Sequence, residues 1–376
     1  MTSIRRIAMP IVGTLLGLLL TLQGAWAGDM DKTLADIKLP RGFHISVFAH
    51  VPKARSIVVG TPLTTIFVGS RHGMIHSLRD TDRDGVADEV KERASDLNVP
   101  NGLAYLNSIL YVGEQNRISM WPVPAEFDTA LPIQPLIPIF TDLPNEFLHG
   151  WRYMKFGPDG KLYVAIGSPC NICDPKGLGG TIVRMDTEGK HMEIVAKGVR
   201  NSVGMDFHPK TGVLFFTDNG ADMMGDDIPP DELNRVTKIG QHYGFPYLGG
   251  KNVKLTGYEN KTPPAGTVPP VIEFQAHSAN LGLHFYRGSM FPAEYRNDAF
   301  VAQHGSWNRT KPVGYRVMRI RFDSAGNPKS KEVFAEGWLK NGVASGRPVD
   351  INELPDGSLI VSDDYAGVIY RIAYGR

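Results

Sequence analysis

FGPDGKLYVAIGS, residues 156 to 168, decides the fold. An apolar start, the turn Pro158-Asp159-Gly160, and the apolar or aromatic run from Leu162 to Ile166 read as a tight hairpin. The unit returns as FHPKTGVLFFTDN at 207–219 and LPDGSLIVSDD at 354–364. Looser copies are LTTIFVGSRHGMIHSL at 63–78, NGLAYLNSILYVGEQNRISMW at 101–121 and the segment around DAFVAQHGSW at 298–307. The six copies put middle strands near Phe67, Tyr111, Tyr163, Phe215, Phe300 and Leu359, mostly 44 to 60 residues apart, which is close to the period of a propeller blade. The pattern predicts an all-β, six-bladed β-propeller spanning residues 28–376 as one domain without a linker. The 85-residue gap between Phe215 and Phe300 reads as an insertion on the face that carries the site. Nowhere does a helical period persist over the length of a domain.

Arg5 and Arg6, the uncharged run from Ile7 to Leu22 and Ala25-Trp26-Ala27 read as a secretory signal peptide, residues 1–27, cleaved after Ala27. The neighbours of the arginine pair fit a twin-arginine signal poorly, and no Cys follows the cleavage site to take a lipid. No later apolar stretch approaches the ~20 residues of a membrane span. The mature chain is therefore expected in the periplasm or outside the cell, with no stable membrane insertion. Cleavage removes two of the 40 basic residues and none of the 39 acids, leaving a formal charge of −1, so nothing calls for nucleic acid as a partner.

Loops from several blades meet at the central channel of a propeller, so residues far apart in sequence can share a site. His149 stands just before the inner strand of the third blade, and Arg200-Asn201 at the equivalent place in the next. TDNGADMMGDDIPPDELN, 217 to 234, then leaves that blade with six acids, no Lys or Arg, and nearly bare backbone at Gly220, Ala221 and Gly225.

With these stretches quoted, the chain resembles the soluble pyrroloquinoline-quinone (PQQ) dependent sugar dehydrogenases, the glucose and sorbosone dehydrogenase family, and within it most closely the sorbosone dehydrogenase-like branch. The likeness runs from LPRGFHISVFA at 39–49, through HGWRYMKFGPDGKLYVAIGSPCNIC, GVRNSVGMDFHP, HYGFP and HGSWNRTKPVGYRVMRI, to GRPVDINELPDGSLIVSDDYAGVIYRI. It implies that His149 is the general base for a sugar hydroxyl and that hydride passes to PQQ. It implies that Arg200, Asn201 and Asn219 contact that cofactor. It also implies that the Gly220 and Ala221 carbonyls hold an activating Ca²⁺ with Asp231 behind it, since a hard cation takes oxygen ligands and carbonyls approach closely only where side chains are small. PQQ carries three carboxylates, and Arg287 and Arg309 are further candidates to meet them. An external electron acceptor, a quinone or cytochrome, completes the cycle. Three departures stand out: Leu148 where the family's glucose dehydrogenases have an acid, Ala221 for a proline, and Arg287 for a lysine. They weaken the glucose-type assignment, and the choice of sugar is expected to rest on loops such as 251–270.

Asp80, Asp82, Asp84 and Asp88 in RDTDRDGVADE have the spacing of the first half of a calcium loop without its closing Glu, and offer a structural Ca²⁺ site. Cys170 and Cys173, the only cysteines, have no His after them to make a haem attachment. In an oxidising compartment they read as a short-loop disulfide, with a redox-active pair as the alternative. From sequence, two other classes stay open: a Ca²⁺-dependent lactonase, which predicts a metal held by side-chain carboxylates, and a non-catalytic extracellular binding propeller.

Overall fold

The structure, a computed structural model, describes residues 30–60, 64–124, 132, 133 and 135–375; the signal-peptide reading lies outside them. Six four-stranded antiparallel sheets follow one another along the chain. Blade 1 runs from Ala54–Gly60 to Glu89–Ala94, blade 2 from Gly102–Leu106 to Ile137–Phe140 and blade 3 from Met154–Phe156 to Glu193–Lys197. Blade 4 runs from Met205–Phe207 to Ile272–Phe274 and blade 5 from Asn280–Phe285 to Pro328–Glu336. Blade 6 supplies only three consecutive strands, starting at Pro348–Glu353. Its outer strand is Phe43–His50 from the start of the described chain, paired with Val368–Tyr374. The ring therefore closes non-covalently between the two ends. A short helix, 30–36, precedes it.

Phe67, Tyr111, Tyr163, Phe215, Phe300 and Leu359 all fall in the second strand of their blades. Because each such strand is covered on both faces, it is buried along nearly its whole length. Successive side chains serve opposite interfaces: Phe67 packs toward blade 2 with Leu103 and Leu110, while its neighbours Ile66 and Val68 pack toward blade 6 with Ile360 and Ile369. Six apolar clusters of this kind fill the six gaps between blades.

Crowding at the axis explains a second periodicity. Innermost strands touch their neighbours in sequence around the ring, and glycines sit where they come closest. A Cβ on Gly102 would lie 1.5 Å from the Arg152 carbonyl oxygen, and one on Gly204 would lie 2.0 Å from that of Leu281. The inner strands run away from one rim, so the loops leading into them and those joining second to third strands gather at that rim.

The long insertion in blade 4 departs from the opposite rim, after Arg235. It climbs back as Gln241–His242, paired in parallel with Ala196 and Lys197 of blade 3, and brings Phe245 and Leu255 against Ala221. It buttresses the acidic loop from outside.

Closure predicts a mutational signature. Phe48, fully buried on the closing strand, bridges the first and last sheets, so Phe48→Ala is expected to cost about 3 to 5 kcal/mol in urea unfolding with a single transition. A loss below about 1 kcal/mol would mean the ring does not depend on this seam.

Candidate active site

At the rim where the loops gather, a cavity of about 320 Å³ opens among residues of blades 1, 3, 4 and 5. His149, Arg200, Asn201, Asn219, Gly220 and Asp231 all line it, so residues spread over more than eighty positions converge.

His149 sits with a positive φ of 52° against the bare backbone of Gly167, where a Cβ would come within 2.4 Å of the His149 Cβ. Its Nδ1 lies 2.7 Å from the Ser168 carbonyl oxygen, which can only accept, so Nδ1 carries the proton and Nε2 keeps a lone pair. Burial, and after it the charge of Arg200, lower its pKa to about 3. The imidazole is a neutral acceptor throughout the physiological range.

Arg200 is fixed by a nearly complete set of bonds. Nε donates to the Asn171 carbonyl at 2.9 Å, Nη1 to the Asn219 carbonyl at 3.2 Å, and Nη2 to Asn171 Oδ1 and Asp222 Oδ2 at 2.7 and 2.8 Å. Of the five N–H groups of a guanidinium, one remains for a ligand. Asn219 spends its amide N–H groups on the Asn201 and Asn280 carbonyls.

Three buried acids face backbone N–H groups here, Asp231 in the lining itself and Asp218 and Glu232 behind it. Asp218 accepts from the amides of Arg200 and Asn201, Asp231 from those of Gly220 and Ala279, and Glu232 from that of Gly250. Burial raises all three pKa values, that of Asp231 to about 6, while repulsion from Asp231 adds to that of Asp218 and repulsion from Asp218 and Asp231 to that of Glu232. Asp231 thus orients the Gly220 peptide through its N–H. The carbonyls of Gly220 and Ala221 accept no hydrogen bond among the described residues, and a Cβ on Gly220 would press to 2.8 Å on the Pro230 carbonyl.

The opposite wall was not anticipated from sequence. Arg55 pairs with Asp364 at 3.0 Å, and His304 Nε2 meets the other oxygen of Asp364 at 2.7 Å. Arg347 donates to the carbonyls of His304 and Gly305. Arg71 lies over the Trp151 ring, 3.8 Å from its centroid, and makes no ion pair among the described residues. Although the residue remains open to solvent, burial of its guanidinium and then the Arg55 charge lower its pKa to about 10. The cavity thus sets three guanidiniums, of Arg55, Arg71 and Arg200, against the carboxylates of Asp222 and Asp231, with Asp364 beside Arg55.

Two sequence candidates fall outside it. Arg287 follows an inner strand that runs away from the site, and binds Asp206 in bidentate fashion at the opposite rim, at 2.8 and 3.0 Å. Arg309 ties its loop to the acidic loop, through the Asp226 carbonyl and Asp227 Oδ1. Loop 251–270 does not line the cavity either. Cys170 and Cys173 form a disulfide beside the site. Asp80, Asp82 and Asp88 cluster at an exposed turn with carboxylate oxygens within 4.8 Å of one another, while Asp84 lies outside that group and caps the Val86 amide.

The sequence pattern described as Glucose / Sorbosone dehydrogenase matches residues 136–371. A relative from Borreliella burgdorferi, itself uncharacterized, is 37% identical over 359 residues, covering 92% of this chain and 93% of its own. Among solved structures, the fold is similar to the calcium structure of a family AA12 carbohydrate-active enzyme from Trichoderma reesei, with TM-score 0.78 and 20% identity over 90% of this chain and 97% of the other. The holo form of the pyranose dehydrogenase PQQ domain from Coprinopsis cinerea gives 0.75 and 19% over 90% and 97%. The apo form of the soluble aldose sugar dehydrogenase from Escherichia coli gives 0.65 and 16% over 88% and 99%.

The buried acids make a pH prediction. Glu232 has a folded pKa above its ordinary value, so the folded state holds a proton that the unfolded state releases, and its stabilising contribution fades as pH rises from about 4. Glu232→Gln removes the penalty of the second buried charge, and Asn234, whose Oδ1 lacks a partner, can turn to accept from the new amide. In metal-free protein the melting temperature of the variant relative to wild type is expected to improve from pH 5 to pH 8. A difference independent of pH would show that the Asp218–Glu232 pair is not strained by charge.

Proposed function

The chain belongs to the glucose and sorbosone dehydrogenase family, and on that premise we propose that it is an exported quinoprotein that oxidises a sugar, an aldose or a sorbosone-like aldehyde, with PQQ as hydride acceptor. The observation that carries this reading is the charge of the cavity: Arg55, Arg71 and Arg200 line it against Asp222 and Asp231, and Arg71 makes no ion pair among the described residues. A planar tricarboxylate matches that excess, and guanidinium forks suit carboxylates. Bound there, the quinone would supply the two-electron acceptor that the lining side chains lack.

His149 takes the proton of the reacting sugar hydroxyl at Nε2, the only ring nitrogen with a free lone pair. Ser168 holds the ring in that tautomer. Protonation beside Arg200 is unfavourable in the empty cavity, and added negative charge there would raise the basicity of His149. Arg200 offers its remaining N–H to developing oxyanion charge from a fixed position. The free carbonyls of Gly220 and Ala221 fit a Ca²⁺, with Asp231 holding the Gly220 N–H and so the peptide just before them; a second, structural Ca²⁺ would sit at the Asp80–Asp88 turn. Asp218, Asp231 and Glu232 are bonded to backbone amides, Asp222 to Arg200 and Asn308, and Asp364 to Arg55 and His304, which favours this reading over a lactonase with a carboxylate-held metal. Export rests on the signal sequence. Among the described residues no helix is long and apolar enough to cross a membrane. An external quinone or cytochrome would take the electrons onward.

In protein reconstituted with PQQ and Ca²⁺, His149→Gln is expected to cut dye-coupled sugar oxidation by ~10² to 10⁴-fold while leaving quinone affinity largely intact. More than a tenth of wild-type turnover at saturating sugar would remove His149 from the base role. After chelation, Asp231→Asn should raise the Ca²⁺ needed for half-maximal activity by about 10- to 100-fold, whereas Asp227→Asn should not. The reverse order would misplace the metal.

A further inference from the structure

Cys170-Asn171-Ile172-Cys173 occupies the seam between His149 and Arg200. On one side Ser168, whose carbonyl fixes the His149 tautomer, has its hydroxyl 3.2 Å from the Cys170 sulfur. On the other, Asn171 makes four hydrogen bonds. Its carbonyl and Oδ1 both accept from Arg200, Oδ1 also accepts from the Asp222 amide at 2.8 Å, and Nδ2 donates to the Asp222 carbonyl at 2.9 Å. Cys170 and Ile172 pack with Ala221, Phe245 and Leu255, so the same four residues also seat the loop that carries Gly220 and Ala221.

We propose that Asn171 is a positioning residue for Arg200, locked by the Cys170–Cys173 disulfide, and that the site keeps its geometry only while that disulfide is intact. The proposal rests on the dehydrogenase reading for what the geometry serves, but not for the geometry itself. A four-residue bridge allows Asn171 little freedom, and two of its bonds are to a charged donor, which are worth more than neutral ones. Freed of the bridge, the loop can exchange those bonds for water, and Arg200 loses two of its four acceptors. Both cysteines are only half-buried, and Cys173 borders an open recess of about 220 Å³ with Asp174 and Lys176, so a small dithiol can reach the bond. In that reaction the S–S bond breaks, the two sulfurs take two electrons and two protons from the dithiol and become thiols, and the dithiol leaves as its own disulfide.

The test uses the full mature chain with ¹⁵N-labelled arginine, with and without dithiothreitol, alongside Asn171→Ala, Asn171→Asp and Cys170→Ser/Cys173→Ser. The exchange rates of the Arg200 Nη2 protons, one of which is held by Asn171 Oδ1, are read by NMR in the quinone-free protein, and kcat and KM in the holoenzyme. Reduction, the double serine variant and Asn171→Ala should each accelerate exchange of the Nη2 protons, which donate to Asn171 Oδ1, about tenfold or more and lower kcat by ~10- to 100-fold, the loss expected when hydrogen bonds to a charged group are removed, with the KM for sugar little changed. Asn171→Asp keeps the acceptor for Arg200 and should restore slow exchange. Unchanged exchange in both the reduced wild type and Asn171→Ala would overturn the proposal, whatever turnover does. If exchange accelerates as expected but oxidised holoprotein oxidises no sugar, the clamp stands and the dehydrogenase reading falls.

Discussion

Where six inner strands meet, there is no room for side chains at their closest points, and this crowding governs the rest. Gly102 and Gly204 let neighbouring backbones nearly touch. Farther along, the channel is plugged by polar side chains rather than left open. Asp206 accepts from the Phe285 amide and from Arg287, and Asp350 accepts from the Ile57 amide and the Tyr153 hydroxyl. Only at the rim where the strands begin can loops from four blades enclose a space. A cavity built this way is rigid, because each wall is anchored to a sheet packed on both faces.

The electrostatics of that space follow from how its loops are pinned. Buried carboxylates spend their oxygens on backbone N–H groups of Arg200, Asn201, Gly220 and Ala279. They fix the loops through the backbone. The arginines face into the cavity, with Asp222 and Asp364 as partial counter-charges. Asp218 and Glu232 sit behind the wall, while within it Asp222 and Asp231 face Arg55, Arg71 and Arg200, of which Arg71 makes no ion pair among the described residues.

The fold was legible because each hairpin repeats its turn chemistry and because a strand buried on both faces reads as a continuous apolar run. The closing strand Phe43–His50 was not, since it lies outside the repeat it completes. His149, Arg200, Asn201 and Asn219 were legible by family likeness. Arg71, His304 and Asp364 were missed although a positional signal existed: each immediately follows a second strand, as Asn219 does. Arg287 misled for the converse reason. It follows an inner strand, whose far end points away from the site. A residue's place along its blade, more than its charge, decides whether it can reach the ligand.

The central claim is that this arginine-lined cavity is a PQQ site. Calorimetric titration of PQQ into the mature, Ca²⁺-loaded protein tests it most directly, with Arg71→Ala and Arg200→Ala run in parallel. The account predicts one equivalent bound to wild type and an affinity at least tenfold weaker in each variant, since each loses a charge-assisted hydrogen bond. Absence of PQQ binding, or binding that neither substitution weakens, would contradict it.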